Sequence, residues 1–416
     1  MRRAPPFRAE PACPTSRTHD PTRLSVERVL SFDVDALRER EFPWSARGEA
    51  IYLNNASTGP LPERTLAALR EFDERRAAPY RLSDDLQFAT LAHGRDLIAR
   101  LIGADTEEIG LAVNTSYGIN VAAFGLPLGS GDVVLTPDRE FPANVYPWMQ
   151  LARKRGVIYR RLPTCDGAVD EDALRRELED PAVRAVSISW VGFASGYTVD
   201  LEAIGRACRA RGAYFIVDAI QGLGPLTLDV RASHIDILAC GAQKWLLSPW
   251  GTGFVYVRRE LIAEIEPNAV SWMAVKGSDD FRRLVDYDLT WRDDARRFEF
   301  ITLPFQDFAG MNASLELIHE LGPRAIADHV AVLADVIVLW AASQPSVELV
   351  TPSVPRHRAG IVALRMPNAA AVSASLSAAG VSHSLREGAI RLSPHFYNTR
   401  EEVRRALRVI ESAMSS

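Results

Sequence analysis

From about residue 109 to residue 257, short apolar runs alternate with longer stretches whose apolar side chains recur every three or four positions. The runs at 109–113, 133–136, 183–191, 213–217 and 235–240 read as buried strands. Between two of them, 200–211 reads as a helix, with Asp200 placed to cap its start and Gly212 to stop it. Strand and helix in regular alternation predict an α/β fold with a mostly parallel sheet. Upstream, 51–53 is a short strand candidate, 54–60 is loop chemistry, and a helix starts near Glu63. After about residue 270 the alternation loosens. The stretch 326–342 is apolar but interrupted by Asp328, His329 and Asp335, so it reads as a buried amphipathic helix. No uninterrupted apolar run reaches bilayer-spanning length, which argues against a membrane partner. A strand at 390–393 precedes a last helix, with Thr399 as cap and Glu402 three residues on.

Composition narrows the classes. The chain has 416 residues, 47% hydrophobic and 24% charged, an ordinary globular balance with room for more than one domain. A net charge of -5 leaves no basic footprint for nucleic acid. Cysteines at 13, 165, 208 and 240 form no C-x-x-C pair, which speaks against a disulfide framework or zinc site and fits a reducing cytoplasm. The eight histidines are scattered without a helical metal-ligand spacing. No G-x-G-x-x-G follows a strand, so a nicotinamide dehydrogenase is disfavoured.

Lysine occurs only at 154, 244 and 276, while every other basic side chain is arginine or histidine. Lys244 follows the run at 235–240, and Asp218 ends the run at 213–217. In an open α/β sheet both would face the ligand crevice at the carboxyl ends of the strands. An amine that loses its proton can form a Schiff base, which a guanidinium cannot. Alone, Asp218 reads equally as a turn or cap, and a single lysine as a solvated charge. Together they suit pyridoxal 5'-phosphate, whose ring nitrogen an acid keeps protonated.

D-A-x-Q at Asp218 to Gln221, followed by Lys244 before W-L-x-x-P-x-G-x-G, resembles the class V aminotransferase branch of the fold-type I pyridoxal-phosphate enzymes. That branch includes cysteine desulfurases, kynureninases and isopenicillin-N-epimerase-like proteins, and the resemblance runs from about Phe42 onward. It implies a large cofactor domain over 60–269 and a smaller α+β domain over 270–416. A segment at 27–59 would pack near the small domain, and 1–26, rich in Pro, Arg and Thr, reads as a disordered tail.

The resemblance also implies roles. Asn114, Thr115 and Ser116 begin a helix and would hold the phosphate, a task suited to hydroxyls and free N–H groups. Phe141 stands where desulfurases carry a stacking histidine, and it stacks without transferring protons. Gln221 would hold the phenolic oxygen. Thr302 lies in R-F-E-F-I-T and would reach a neighbouring subunit's phosphate, which implies a homodimer. Arg391 and Arg386 are the candidates for the carboxylate of an amino acid substrate, with Asn55 of Y-L-N-N-A beside them. Gly241, Ala242 and Gln243 replace the usual S-x-H before the lysine, and no cysteine follows Cys240. Both departures weigh against a persulfide-forming desulfurase. The implied activity is chemistry at Cα: aminotransferase-like or epimerase-like, with β-elimination by a lyase as the alternative. A non-catalytic scaffold or ligand sensor on the same fold is the reading from another class.

Overall fold

Residues 32–165 and 167–415 are described by a computed structural model; the tail expected over 1–26 lies outside them. The large sheet contains β1 (Ile109–Leu111), β2 (Val133–Pro137), β3 (Ile158–Leu162), β4 (Val183–Ser189), β5 (Tyr214–Asp218), β6 (Ile237–Gly241) and β7 (Gly253–Val257). Their order is β1-β7-β6-β5-β4-β2-β3. Strands β2 to β6 pair in parallel, and β7 runs antiparallel to both β6 and β1. β6 and β7 are buried along their whole length, as expected of strands covered on both faces.

The two runs flanking the candidate site shift slightly from their sequence bounds. Asp218 is itself the last residue of β5, and β6 begins at Ile237 rather than at 235. The later start follows from Asp236, whose carboxylate accepts from the Phe215 N–H at 2.8 Å and from Arg258 Nε at 2.7 Å. The helix Leu201–Arg211 has Asp200 accepting from the Ala203 N–H at 2.9 Å, and Gly212 closes it with φ +65°.

Helix Phe305–Leu321 packs on helices Glu63–Ala77 and Asp84–Ile102, where Thr65 and Ser314 share a hydroxyl contact of 2.6 Å. This stretch therefore adheres to the large-sheet body. A second core begins near Pro323. It joins helices Pro323–Ala342, Ala369–Ala378 and Arg400–Ser415 to a sheet of β8 (Glu348–Leu349), β9 (Val362–Arg365), β10 (Ser384–Arg386) and β11 (Ala389–Leu392). That sheet is antiparallel, in the order β8-β9-β11-β10. Ile51–Tyr52 pairs in parallel with Val381–Ser382, so the chain enters along the small domain. The last helix carries a reciprocal cap: Thr399 accepts from Glu402 N–H at 3.1 Å, and Glu402 from Thr399 N–H at 2.9 Å.

Pro323–Ala342 has the length and apolar composition of a membrane span, and it is the buried helix expected over 326–342, with Leu333, Ile337 and Ala341 in the second core. One expectation is corrected. Cys165 is disulfide-bonded, against the reading of the cysteines as unpaired, while Cys208 and Cys240 are free and buried.

Candidate active site

Parallel strands β5 and β6 end side by side, with Asp218 in register with Ala239. Asp218 is the final residue of one, and Lys244 lies in the loop that leaves the other. The loop at 54–60 folds over this point, where the Gly59 N–H donates to the Gln243 carbonyl at 2.9 Å. A Cβ on Gly59 would sit 2.1 Å from the Lys244 carbonyl oxygen, so only glycine permits this approach.

Burial lowers the Lys244 amine to about 8; the Asp218 charge opposes that shift and Arg391 adds to it. Asp218 is 2% exposed, and burial raises its carboxyl to about 6. The Ile220 N–H, at 3.0 Å from one carboxylate oxygen, and the Lys244 charge both counter the rise. The other oxygen has no hydrogen-bond partner among the described residues. Lys244 Nζ lies 5.7 Å from the centre of the Phe141 ring, which meets Phe193 edge-on at 5.4 Å.

Asn114 accepts from the Tyr117 N–H at 2.9 Å and caps helix Thr115–Gly125. Thr115 Oγ1 accepts from the Gly241 N–H at 2.9 Å, tying the helix start to the end of β6. Gly118 lets the helix lie close: a Cβ there would stand 2.6 Å from that of Ala239. Apart from the Tyr117 N–H taken by Asn114, the first-turn N–H groups of this helix lack intrahelical acceptors and lie beside the end of β6 that leads to Lys244. Ser116 is exposed there. Gln243, next to Lys244, holds a buried side-chain oxygen with no hydrogen-bond partner among the described residues.

Arg391, on β11, is 2% exposed. It donates to Ser384 Oγ at 3.0 Å, to the Phe193 carbonyl at 2.6 Å and to Ser57 Oγ at 2.9 Å. All three acceptors are neutral. These bonds engage three of five guanidinium N–H groups, so two remain. Burial, with the Arg386 charge nearby, lowers this guanidinium to about 10. Arg386 itself is exposed, and among the described residues its side chain bonds only the Leu385 carbonyl, at 3.3 Å.

The remaining candidates sit less directly. Gln221 is buried, donating to the Ala56 carbonyl at 3.0 Å and accepting from Trp245 Nε1 at 2.8 Å. Asn55 engages both ends of its amide, with the Ser393 carbonyl at 2.8 Å and the Tyr397 hydroxyl at 3.0 Å. Thr302 is exposed in the loop before Phe305–Leu321 and hydrogen-bonds none of the others.

Sequence reasoning missed Ser57, Ser384 and Phe193, which hold Arg391, and Glu140. Burial raises the Glu140 carboxyl to about 7 against hydrogen bonds from Ser189 and Asn144, with the Asp218 charge adding to the rise. Its position beside Phe141 was the one available signal.

A buried carboxylate with a spare oxygen, an amine that deprotonates near neutrality, an aromatic face over that amine and an open helix start fit pyridoxal phosphate. The aminotransferase class-V family model matches residues 51–406. A probable cysteine desulfurase of Methanothermobacter thermautotrophicus is 30% identical over 377 residues, covering 85% of this chain and 92% of that protein. Isopenicillin N epimerase of Streptomyces clavuligerus is 30% identical over 375 residues, with the same two coverages, 85% and 92%. The apo cysteine desulfurase of Thermococcus onnurineus NA1 shares the fold, with a TM-score of 0.82 at 24% identity over 93% of this chain and 100% of that one.

Proposed function

The chain belongs to the aminotransferase class-V family and is a pyridoxal-phosphate enzyme acting on an amino acid, and we propose that Lys244 both carries the cofactor and moves the proton at the substrate's Cα. The observation that carries this reading is the Lys244–Asp218 pair at the ends of β5 and β6. Bound pyridoxal phosphate supplies an electron sink for the bond broken at Cα.

With its amine near 8, Lys244 is about one-tenth neutral at pH 7, enough to serve as nucleophile and then as base. Asp218, ionised above about 6, would hold the cofactor's ring nitrogen in its protonated form through the oxygen left unbonded among the described residues. Phe141 gives an apolar face and no titratable group of its own with which Lys244 could share proton transfer. Asn114, Thr115 and Ser116 place the helix start for phosphate, and Gln221 keeps one amide N–H for the phenolic oxygen. Arg391 directs its two spare N–H groups at the substrate carboxylate, with Arg386 outside it. Asn55 holds the Ser57 loop against the small domain, and so acts on the substrate through Arg391.

The thiols of Cys208 and Cys240 are buried and pushed up by desolvation, so neither suits a persulfide relay. Trp272, Tyr287 and Leu289 line one surface groove and are 46%, 91% and 67% exposed, apolar area that supports a homodimer. Thr302, in the loop before Phe305, would then serve the partner's phosphate site.

The test is a visible spectrum of the purified protein before and after adding a panel of amino acids. The expected result is a yellow band, lost on borohydride reduction and absent in Lys244→Ala, that particular amino acids shift. Products then distinguish amino transfer, epimerisation and elimination. A protein that stays colourless in excess pyridoxal phosphate rules the assignment out and leaves the scaffold reading.

A further inference from the structure

A cavity of about 870 Å³ lies between the loop after β2, the end of β3 and the β10–β11 hairpin, and arginine dominates its wall. Arg139, Arg160, Arg161, Arg365 and Arg386 all line it. Two of these have carboxylate partners: Arg160 with Glu177 at 2.6 Å and Asp180 at 3.1 Å, and Arg365 with Glu348 at 2.5 Å. Among the described residues the side chains of Arg139 and Arg161 make no hydrogen bond or ion pair, and that of Arg386 bonds only a neighbouring carbonyl.

Among the described residues none of the cavity's own carboxylates forms an ion pair with these three arginines. Asp138 accepts from the Thr164 hydroxyl at 2.6 Å and its N–H at 3.2 Å. Glu140 is turned to Ser189 and Asn144, and burial raises it to about 7. Glu387 is exposed at the hairpin tip and makes no ion pair among the described residues.

The cavity reaches the aromatic pair beside the amine: Phe193 meets Phe141 at 5.4 Å, and the Phe141 ring centre lies 5.7 Å from Lys244 Nζ. Phe193 lines it and holds Arg391 through its carbonyl. Arg386 lines it, and its charge is felt at both Lys244 and Arg391. A space of this size matches an extended ligand, and a short aliphatic side chain would leave most of it to water. Unpaired guanidinium groups facing such a space recruit anions and fix them by paired N–H bonds.

We propose that this cavity receives the side chain of a substrate amino acid carrying a second carboxylate several bonds from Cα, with Arg139 and Arg161 as its counter-charges. The proposal rests on the assignment of Lys244 and Arg391 above, which orients Cα and the first carboxylate. Substrate choice then follows from charge at the far end, since a neutral side chain of equal length gains none of these contacts.

The test uses the holoenzyme and matched pairs: glutamate with norvaline, 2-aminoadipate with norleucine, and 2-aminopimelate with 2-aminoheptanoate. Each is titrated against the visible band. The acidic member of at least one pair is expected to half-saturate at a concentration at least about tenfold lower. In an Arg139→Gln/Arg161→Gln double variant that advantage collapses toward about onefold to twofold, while the resting spectrum is retained. Calorimetry of adipate against hexanoate, on both proteins, reads the same preference without the cofactor's colour. Equal binding within every pair, by a protein with a normal band, overturns the cavity's role and spares the cofactor assignment. A colourless protein that still prefers adipate to hexanoate, and loses the preference in the double variant, keeps the anion cavity and overturns the cofactor assignment.

Discussion

Arg95 and Arg391 are both buried, and the fold holds them in opposite ways. Arg95 directs Nε and an Nη at the two oxygens of Glu299, each at 2.7 Å, and Glu299 also takes the Leu111 N–H at 2.9 Å. This closed set pins helix Asp84–Ile102 to the edge strand β1. Arg391 has three neutral acceptors and no carboxylate. A buried charge without a counter-ion is destabilising, so the second arrangement persists when something else benefits from it. Closed sets build the scaffold, and open ones mark where a ligand completes them.

The sharpest break of that contrast is at Lys244, the other charge left short. Lys244→Ala should lower turnover at least about 10³-fold, because nucleophile and base go together. Its melting temperature should hold or rise, since a poorly solvated amine is removed. Steady-state rates and a melting curve check both, and turnover above a tenth of normal would place the base elsewhere. Arg95→Met should cost about 3–5 kcal/mol of stability, because Glu299 is left buried and unpaired. Urea unfolding measures this, with KM for substrate unmoved.

Arg391→Met is the mirror case. Losing charge-assisted bonds worth about 1.5–3 kcal/mol should raise KM by roughly ten- to a hundredfold, with stability near that of the parent. A large stability loss with KM unchanged would make Arg391 another Arg95.

The smallest effect is in pH. With an amine near 8, the neutral fraction of Lys244 rises about fivefold from pH 7 to pH 8 and little beyond pH 9. Uptake of pyridoxal phosphate by the cofactor-free protein, followed by stopped-flow absorbance, should accelerate in that proportion. Between about 8 and the ordinary lysine value of 10.5, the folded protein binds fewer protons at Lys244 than the unfolded chain does. The cofactor-free protein should therefore gain stability as pH rises through that window, and Lys244→Met should lose this slope.

Local signals were readable in the chain. The Asp200 cap, the Gly212 stop and the Thr399–Glu402 exchange each involve residues a few positions apart, and all three form. Membership of the candidate site was readable less evenly. Lys244, Asp218, Phe141 and Arg391 come together, but Ser57 and Phe193 reach Arg391 from distant parts of the chain. No periodicity links such residues. The helix Phe305–Leu321 likewise joined the large body through packing on Glu63–Ala77, which its own sequence does not announce.

By itself the sequence determined the strand–helix alternation and the two residues placed at the carboxyl edge of the sheet. Hydrophobic period and capping chemistry act over one or two turns, so they are written locally. Only the tertiary structure decided which charges are satisfied. Arg386 and Arg391 sit on the two strands of one hairpin and look alike in the chain. Arg391 pairs across to Ser384 on one side and Ala363 on the other, which buries it. Arg386 lies on the outer strand, at the turn, and stays in solvent. Desolvation depends on what covers a side chain, and the covering residues come from elsewhere in the chain.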